Sequence, residues 1–333
     1  MPAVLEWSPS VDPSDLVARV RESLASGSLT VLPGDCGYVI LASPGSPHLA
    51  RLGDLPANQL IYNPLPHGPL IAKRLMFRAW PAPLVIEVND TRYRIPDHLV
   101  SEAIYPAVHE NGRLRPTLVF DAGLPTVEAV LAKYGDAVSL AVSAGKQAVA
   151  RPTVVRCSES GWSITEHGAF PEAEIVRLAA RIVLFVCTGN TCRSPLAEGI
   201  ARTMLAERLA CTEAELPARG FWMLSAGVAA FGGSPASPES ADIAAEFGAN
   251  LESHRSRPVN PQLLAAADDV IAMTRGHAYS LAANYPDIGP APVLLCGSDD
   301  LDDPIGSSLD VYRTCAQTIQ QHLKRFIAEW TGT

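Results

Sequence analysis

An α/β protein of two domains is the fold the sequence predicts, and three observations carry that prediction. The chain has 333 residues, too many for one ordinary core and suited to two domains of about 150 residues each. From Ile182 onward, short apolar runs and helical stretches alternate with a regular rhythm, as in a doubly wound parallel sheet. Before that point the same ingredients occur in a mixed order.

Taken along the chain, SDLVARVRESLASG reads as a helix capped by Ser14, followed by the short apolar strand SLTVLP. PLVIEV at 83–88, PTLVF at 116–120 and VSLAVS at 138–143 are further strands, with LPTVEAVLAKYG helical between them. GAFPEAEIVRLAA, from Gly168 to Ala180, reads as a short charged helix before an apolar run, and the domain boundary is placed there: 1–178 and 179–333. The second domain then reads as strand IVLFV, a helix from about Ser194 to Leu209, strand FWMLSAG, helix PESADIAAEFG and strand DDVIAM. A helix near 275–284, strand APVLL and a last helix from about Leu309 to Trp330 complete it.

Composition narrows the function classes. Apolar residues make up 47% and charged ones 18%, without long single-sign blocks, which describes a folded chain and not a disordered one. Against 26 basic side chains stand 35 acidic ones, a net charge of -9, so the chain as a whole has no electrostatic pull toward nucleic acid. The start lacks a basic stretch followed by an apolar core, and no apolar run approaches the roughly 18 residues of a membrane span. A cytoplasmic protein without a membrane partner is expected. Seven cysteines without framework spacing fit a reducing compartment. No cysteine pair follows Cys187 and Cys192, and the eight histidines do not cluster, so neither a metal nor another cofactor is expected.

The sharpest feature is VCTGNTCRSPLAEG, where an apolar strand ends at Cys187 and a helix begins near Ser194, with five residues between Cys187 and Arg193. A loop of that length can curl around one tetrahedral anion, with backbone N–H groups of Thr188, Gly189, Asn190, Thr191 and Cys192 inward and the helix N-terminus behind them. Gly189 and Asn190 are residue types that tolerate left-handed backbone. Helix dipole, amides and the Arg193 guanidinium all favour thiolate over thiol at Cys187, making it a nucleophile. Arg193 can hold two phosphate oxygens in its fork, and Ser194 can donate to the sulfur when it departs. Asp303, in DLDDPIGSSLDVY before the last helix, is the candidate acid for the leaving group, with Asp302 as its rival. Cys192 is a candidate redox partner of Cys187, or else a small loop-filling residue. His254 and Arg255 read as loop-ordering residues.

VCTGNTCRS, SAG at 225–227, HRSRP at 254–258, DDVIAMT at 268–274 and DDP at 302–304 resemble the low-molecular-weight protein tyrosine phosphatase family across residues 182–330. The resemblance implies a four-stranded parallel sheet with flanking helices, Cys187 as nucleophile, Arg193 as phosphate binder, Asp303 as acid, no metal, and a phosphorylated protein as substrate. Within the family, Thr191 in the loop resembles the bacterial protein-arginine phosphatases, and Ile305 stands where tyrosine phosphatases place an aromatic. Phosphoarginine or phosphotyrosine is therefore the expected substrate. An arsenate reductase, which shares the loop, needs relay cysteines, and Met273 and Thr274 offer none at the position of one of them.

Residues 14–170 resemble the YrdC family of threonylcarbamoyl-adenylate synthases through SLTVLPGDCGYVI, WPAPLVIEV, YRIPDHL and RPTVVRC followed by SITEHGAF. That resemblance implies a twisted mixed sheet around a concave pocket. Gly34 and Asp35 replace the threonine and acid usual after Pro33, Gly53 and Leu55 replace a Lys-x-Arg pair, and VFDAG at 119–123 replaces a Ser-rich segment; Arg94, Pro152 and Thr153 persist. A degenerate domain is expected, with nucleotide or RNA binding or an adenylate synthase as the alternatives. The plain alternative for Arg94 is a surface salt bridge.

Overall fold

The computed structural model describes residues 2–8, 13–60, 68–110, 113–114 and 117–332. The chain divides into two compact units, Met1–Ala179 and Ala180–Thr333.

The first unit runs β1 (Ala3–Glu6), α1 (Pro13–Ala25), β2 (Leu29–Gly34), β3 (Gly37–Ala42), β4 (Asn58–Leu60), α2 (Leu70–Ala79), β5 (Leu84–Val88), β6 (Thr91–Arg94) and α3 (Leu99–Val108). It continues with β7 (His109–Glu110), β8 (Arg113–Leu114), β9 (Thr117–Asp121), α4 (Val127–Tyr134), β10 (Val138–Ser143), β11 (Thr153–Ser158), β12 (Gly161–Glu166) and α5 (Glu172–Ala179). Among the described residues ten strands form one mixed sheet, ordered β1-β10-β2-β3-β9-β4-β6-β5-β11-β12. Side chains alternate across it with the period of two that a strand imposes. Tyr38 and Ile40 of β3 pack with Val130 and Tyr134 of α4, while Val39 and Leu41 pack with Val20 of α1 and Ile104 of α3.

Three details differ from the sequence reading. Helix α1 begins at Pro13, so Ser14 lies inside the first turn and is not its cap. Proline suits that position because its missing N–H would have no intrahelical partner there. The expected strand at 116–120 is β9, Thr117–Asp121, with residue 116 outside the described residues. Arg94 is not a surface salt bridge. It lies at the end of β6, inside the sheet between β4 and β5, and is fully buried. Its Nη2 meets Asp35 Oδ1 at 2.5 Å, its Nε donates to Asp121 Oδ1 at 3.0 Å and its Nη1 to the Ala82 carbonyl at 2.8 Å. Burial works against the charge, but Asp121 and Asp35 outweigh it and hold the guanidinium charged, above its usual range.

The second unit runs β13 (Arg181–Cys187), α6 (Arg193–Arg208), β14 (Phe221–Gly227), α7 (Pro238–Glu246), α8 (Pro261–Ala266), β15 (Asp269–Ala272), α9 (Arg275–Asn284), β16 (Val293–Leu294) and α10 (Leu309–Thr331). Its four strands are parallel, in the order β14-β13-β15-β16. Val183, Phe185 and Cys187 face one layer with Leu196 and Ile200 of α6 and Ile319 and Leu323 of α10. Ile182, Leu184 and Val186 face the other, with Leu264 of α8 and Leu281 of α9. The doubly wound four-stranded sheet is therefore present. Helix α8 went unread because six residues are too few to show a helical period; its signals are the Asn260 cap, which accepts from the Leu263 N–H at 2.8 Å, and Pro261 after it. At the sheet edge, APVLL yields only the two-residue β16.

Among the described residues no helix is long and apolar enough to cross a membrane, and no group of three or more His, Cys, Asp or Glu side chains is arranged to hold a metal ion.

Candidate active site

β13 is one of the two inner strands of the second sheet and delivers Cys187, 3% exposed, to its carboxyl edge. In a parallel sheet that edge is where loops gather over the strand ends. The loop passes through left-handed backbone at Asn190, whose φ is +56°, and α6 begins at Arg193. Asparagine tolerates that left-handed backbone because its short side chain can bond locally. Here the Asn190 amide donates to Ser194 Oγ at 2.9 Å and to Ser225 Oγ at 2.8 Å, and its Oδ1 accepts from the Arg257 N–H at 2.9 Å. His254 Nε2 lies 2.8 Å from the Asn190 carbonyl, on which it acts as a donor. Ser225 in turn donates to the buried carboxylate of Glu198 at 2.6 Å. The side-chain amide and the carbonyl of Asn190 thus have partners from β14, α6 and the segment after α7, which holds the bend in place.

The sulfur of Cys187 lies 3.0 Å from Ser194 Oγ and accepts from the Asn190 N–H at 3.3 Å. The loop is also pinned from outside, since Val228 N–H donates to the Cys187 carbonyl at 2.9 Å and Ala229 N–H to that of Thr188 at 3.0 Å. These bonds bring β14 so close that a Cβ on Gly227 would overlap the Thr188 carbonyl and sit 2.9 Å from Asn190 N and 2.8 Å from Ala230 Cβ. Only glycine fits there.

Arg193 is 5% exposed. Its Nη1 donates to the Leu301 carbonyl at 3.2 Å and its Nη2 pairs with Asp303. The loop that carries Asp303 is fastened to the end of β15, because Leu301 N–H donates to the Met273 carbonyl at 2.9 Å. Ile305 N–H donates to Asp303 Oδ1 at 3.3 Å, and the Ile305 side chain is 65% exposed on the same loop. Asp303, and not Asp302, is the carboxylate on Arg193.

The structure thus brings together Cys187, Asn190, Arg193, Ser194 and Asp303. Thr188 is exposed, and Gly189 and Thr191 are half-buried in the loop between them. Cys192 is buried, with Ser237 Oγ at 3.5 Å and Tyr312 Oη at 3.6 Å from its sulfur; all seven cysteines are free thiols. The sequence reading did not single out Ser225 as a residue, nor Glu198, Gly227 or His277. Ser225 and Gly227 stood in the family segment SAG, whereas His277 carried only a cap signal, Thr274 three residues before it. His277 lies at 2.8 Å from Thr188 Oγ1.

A buried thiol in a closed anion loop, with a guanidinium and a carboxyl group at its mouth, is equipment for phosphoryl transfer through sulfur. Residues 182–331 match the model of the low molecular weight phosphotyrosine protein phosphatase family, and the chain belongs to that family. The protein-arginine-phosphatase of Geobacillus stearothermophilus is 33% identical over 148 residues, covering 43% of this chain and 91% of that protein. The low molecular weight protein-tyrosine-phosphatase PtpB of Staphylococcus haemolyticus is 34% identical over 144 residues, 42% of this chain and 91% of that protein. Among solved structures, a YwlE mutant from Bacillus subtilis is 29% identical, covers 46% of this chain and 99% of its own, and has a TM-score of 0.41.

Proposed function

We propose that the chain is a cysteine-dependent protein phosphatase with phosphoarginine as its preferred substrate and phosphotyrosine as the alternative. The observation that carries the reading is the juxtaposition of Cys187 with Ser194 Oγ and of Arg193 with Asp303 around one loop. Arg193 holds two phosphoryl oxygens while Cys187 attacks phosphorus; an S–P bond forms and the N–P or O–P bond breaks. Asp303 gives its proton to the departing nitrogen or oxygen. A water then attacks the phosphocysteine, Asp303 takes the water's proton, and Ser194 donates to the leaving sulfur. The amides of residues 188–192 and the start of α6 offset the phosphoryl charge.

Thr191 supports the arginine preference. Its small hydroxyl side chain leaves room for a planar guanidinium, where a bulky aliphatic residue would fill the loop. Ile305 agrees, since it offers no aromatic face to a phenyl ring. Phosphate release from phosphoarginine and from p-nitrophenyl phosphate, measured with wild type, Cys187→Ser and Thr191→Ile, tests the reading. Loss of both activities in Cys187→Ser and a reversed preference in Thr191→Ile are expected. No cleavage of either by the reduced wild type would overturn it.

For the first unit we infer a degenerate YrdC-like domain, bounded near residue 178, that does not make an adenylate. The Arg94 guanidinium is fully buried and its charge is already balanced by two carboxylates, Asp35 and Asp121, so it has no charge to spare for a triphosphate. Pyrophosphate release from ATP with threonine and bicarbonate would sink this inference.

A further inference from the structure

The residue after the nucleophile is held from the side by a histidine. Thr188 Oγ1 lies 2.8 Å from His277 Nε2, and the other ring nitrogen lies 2.9 Å from Thr274 Oγ1. Thr274 is also the cap of α9, and its oxygen accepts from the His277 N–H at 3.2 Å. His277 is 6% exposed, and its ring spans two loops of the carboxyl edge, the one after β13 and the turn after β15.

Burial, then the Arg193 guanidinium, push His277 down to about 4, against the opposing pull of Asp303 and Asp300. At neutral pH the ring is therefore uncharged, with one donor and one acceptor nitrogen. The cap assigns them. If Nδ1 carried the proton, Thr274 Oγ1 would receive two donors and its own proton would have no partner among the described residues. With the proton on Nε2, Thr274 donates to Nδ1, Nε2 donates to Thr188, and each hydroxyl oxygen accepts once.

We propose that His277 is a positioning residue for phosphoryl transfer: protonated at Nε2, it holds the Thr188 hydroxyl as an acceptor and so frees that hydroxyl's proton to donate to a phosphoryl oxygen bound in the loop. The proposal rests on the reading of this loop as the phosphatase site. It gives the site a donor beyond the backbone amides and Arg193, next to the nucleophile, and makes that donor depend on the turn that leads from β15 into α9.

The test uses the full chain with Thr188→Val, His277→Leu, the double variant and His277→Gln, which keeps an N–H near the Nε2 position. Affinity for inorganic phosphate, followed by NMR titration, and kcat and KM for phosphoarginine are read on each. Thr188→Val and His277→Leu should each weaken phosphate binding and lower kcat/KM by about tenfold, the loss expected of one hydrogen bond to a charged group. The double variant should be no worse than either single one, because both remove the same bond, and His277→Gln should recover most of the loss. Multiplying losses, or variants that lower only the melting temperature while both readouts stay within twofold of wild type, overturn the proposal. Phosphate binding separates the two levels: a wild type that turns nothing over, but binds phosphate tenfold better than both variants, fails as a phosphatase and still supports His277.

Discussion

As the proposed acid, Asp303 has to carry the proton that the leaving group takes. Asparagine there cannot supply a proton, so Asp303→Asn should slow phosphoarginine hydrolysis by about 10²- to 10⁴-fold. The loss should be smaller for p-nitrophenyl phosphate, whose phenolate departs without much protonation. Steady-state rates on the two substrates check this; equal losses would assign Asp303 to holding Arg193 instead. His277 makes a second prediction at this scale, in acid. Its folded value of about 4 lies below the ordinary 6.5, so between those pH values the unfolded chain binds a proton that the folded chain refuses. Stability should therefore fall as pH drops from about 6.5 to about 4, with no further loss from this group below that. His277→Leu should flatten that part of the melting temperature profile relative to wild type, and a parallel profile would refute the assignment.

The loop works only because neighbouring elements approach it closely. Gly227 ends β14 where the backbone of Thr188 and Asn190 and the side chain of Ala230 leave no room for a Cβ, so Gly227→Ala must push the loop after β13 aside. An overpacking cost of about 1 to 3 kcal/mol is expected, with loss of phosphate binding, measurable by denaturant unfolding and NMR titration. In the first unit the corresponding pressure point is β6. Arg94→Ala would leave the carboxylates of Asp35 and Asp121 facing each other beneath the surface, at a cost of about 3 to 5 kcal/mol. Adding Asp121→Asn should recover part of it, and a neutral Arg94→Ala would show that the cluster is hydrated enough not to need its cation. Elements of this kind were read from sequence to different depths. β13 and α6 were legible because an apolar strand, a five-residue loop and a helix start sit in one stretch. Helix α8 is too short to carry a period, strand β16 is legible in APVLL but shorter than that run suggests, and Ser14 resembles a cap although Pro13 before it is already helical.

At the scale of the whole chain, each unit has cores of its own: the two clusters of the second unit draw on residues between Ile182 and Trp330 alone. A fragment of residues 180–333 should therefore fold and keep phosphate release within a few-fold of the full chain, as circular dichroism and steady-state kinetics would show. A folded but inactive fragment would mean that the first unit contributes to catalysis. The sequence by itself determined the alternating fold of the second half, the five-residue loop between Cys187 and Arg193 and the acid candidate, because strand period, loop length and residue type are local properties. Only the tertiary structure decided that Asp303 and not Asp302 reaches Arg193, that Ser225, itself bonded to Glu198, holds Asn190, and that His277 touches Thr188. It alone showed Arg94 closed off by two carboxylates. Those contacts join separate elements of each fold: in the second unit their geometry is set by how parallel strands line up at the carboxyl edge of the sheet, and in the first by the strand order that puts β6 between β4 and β5, neither of which a local pattern records.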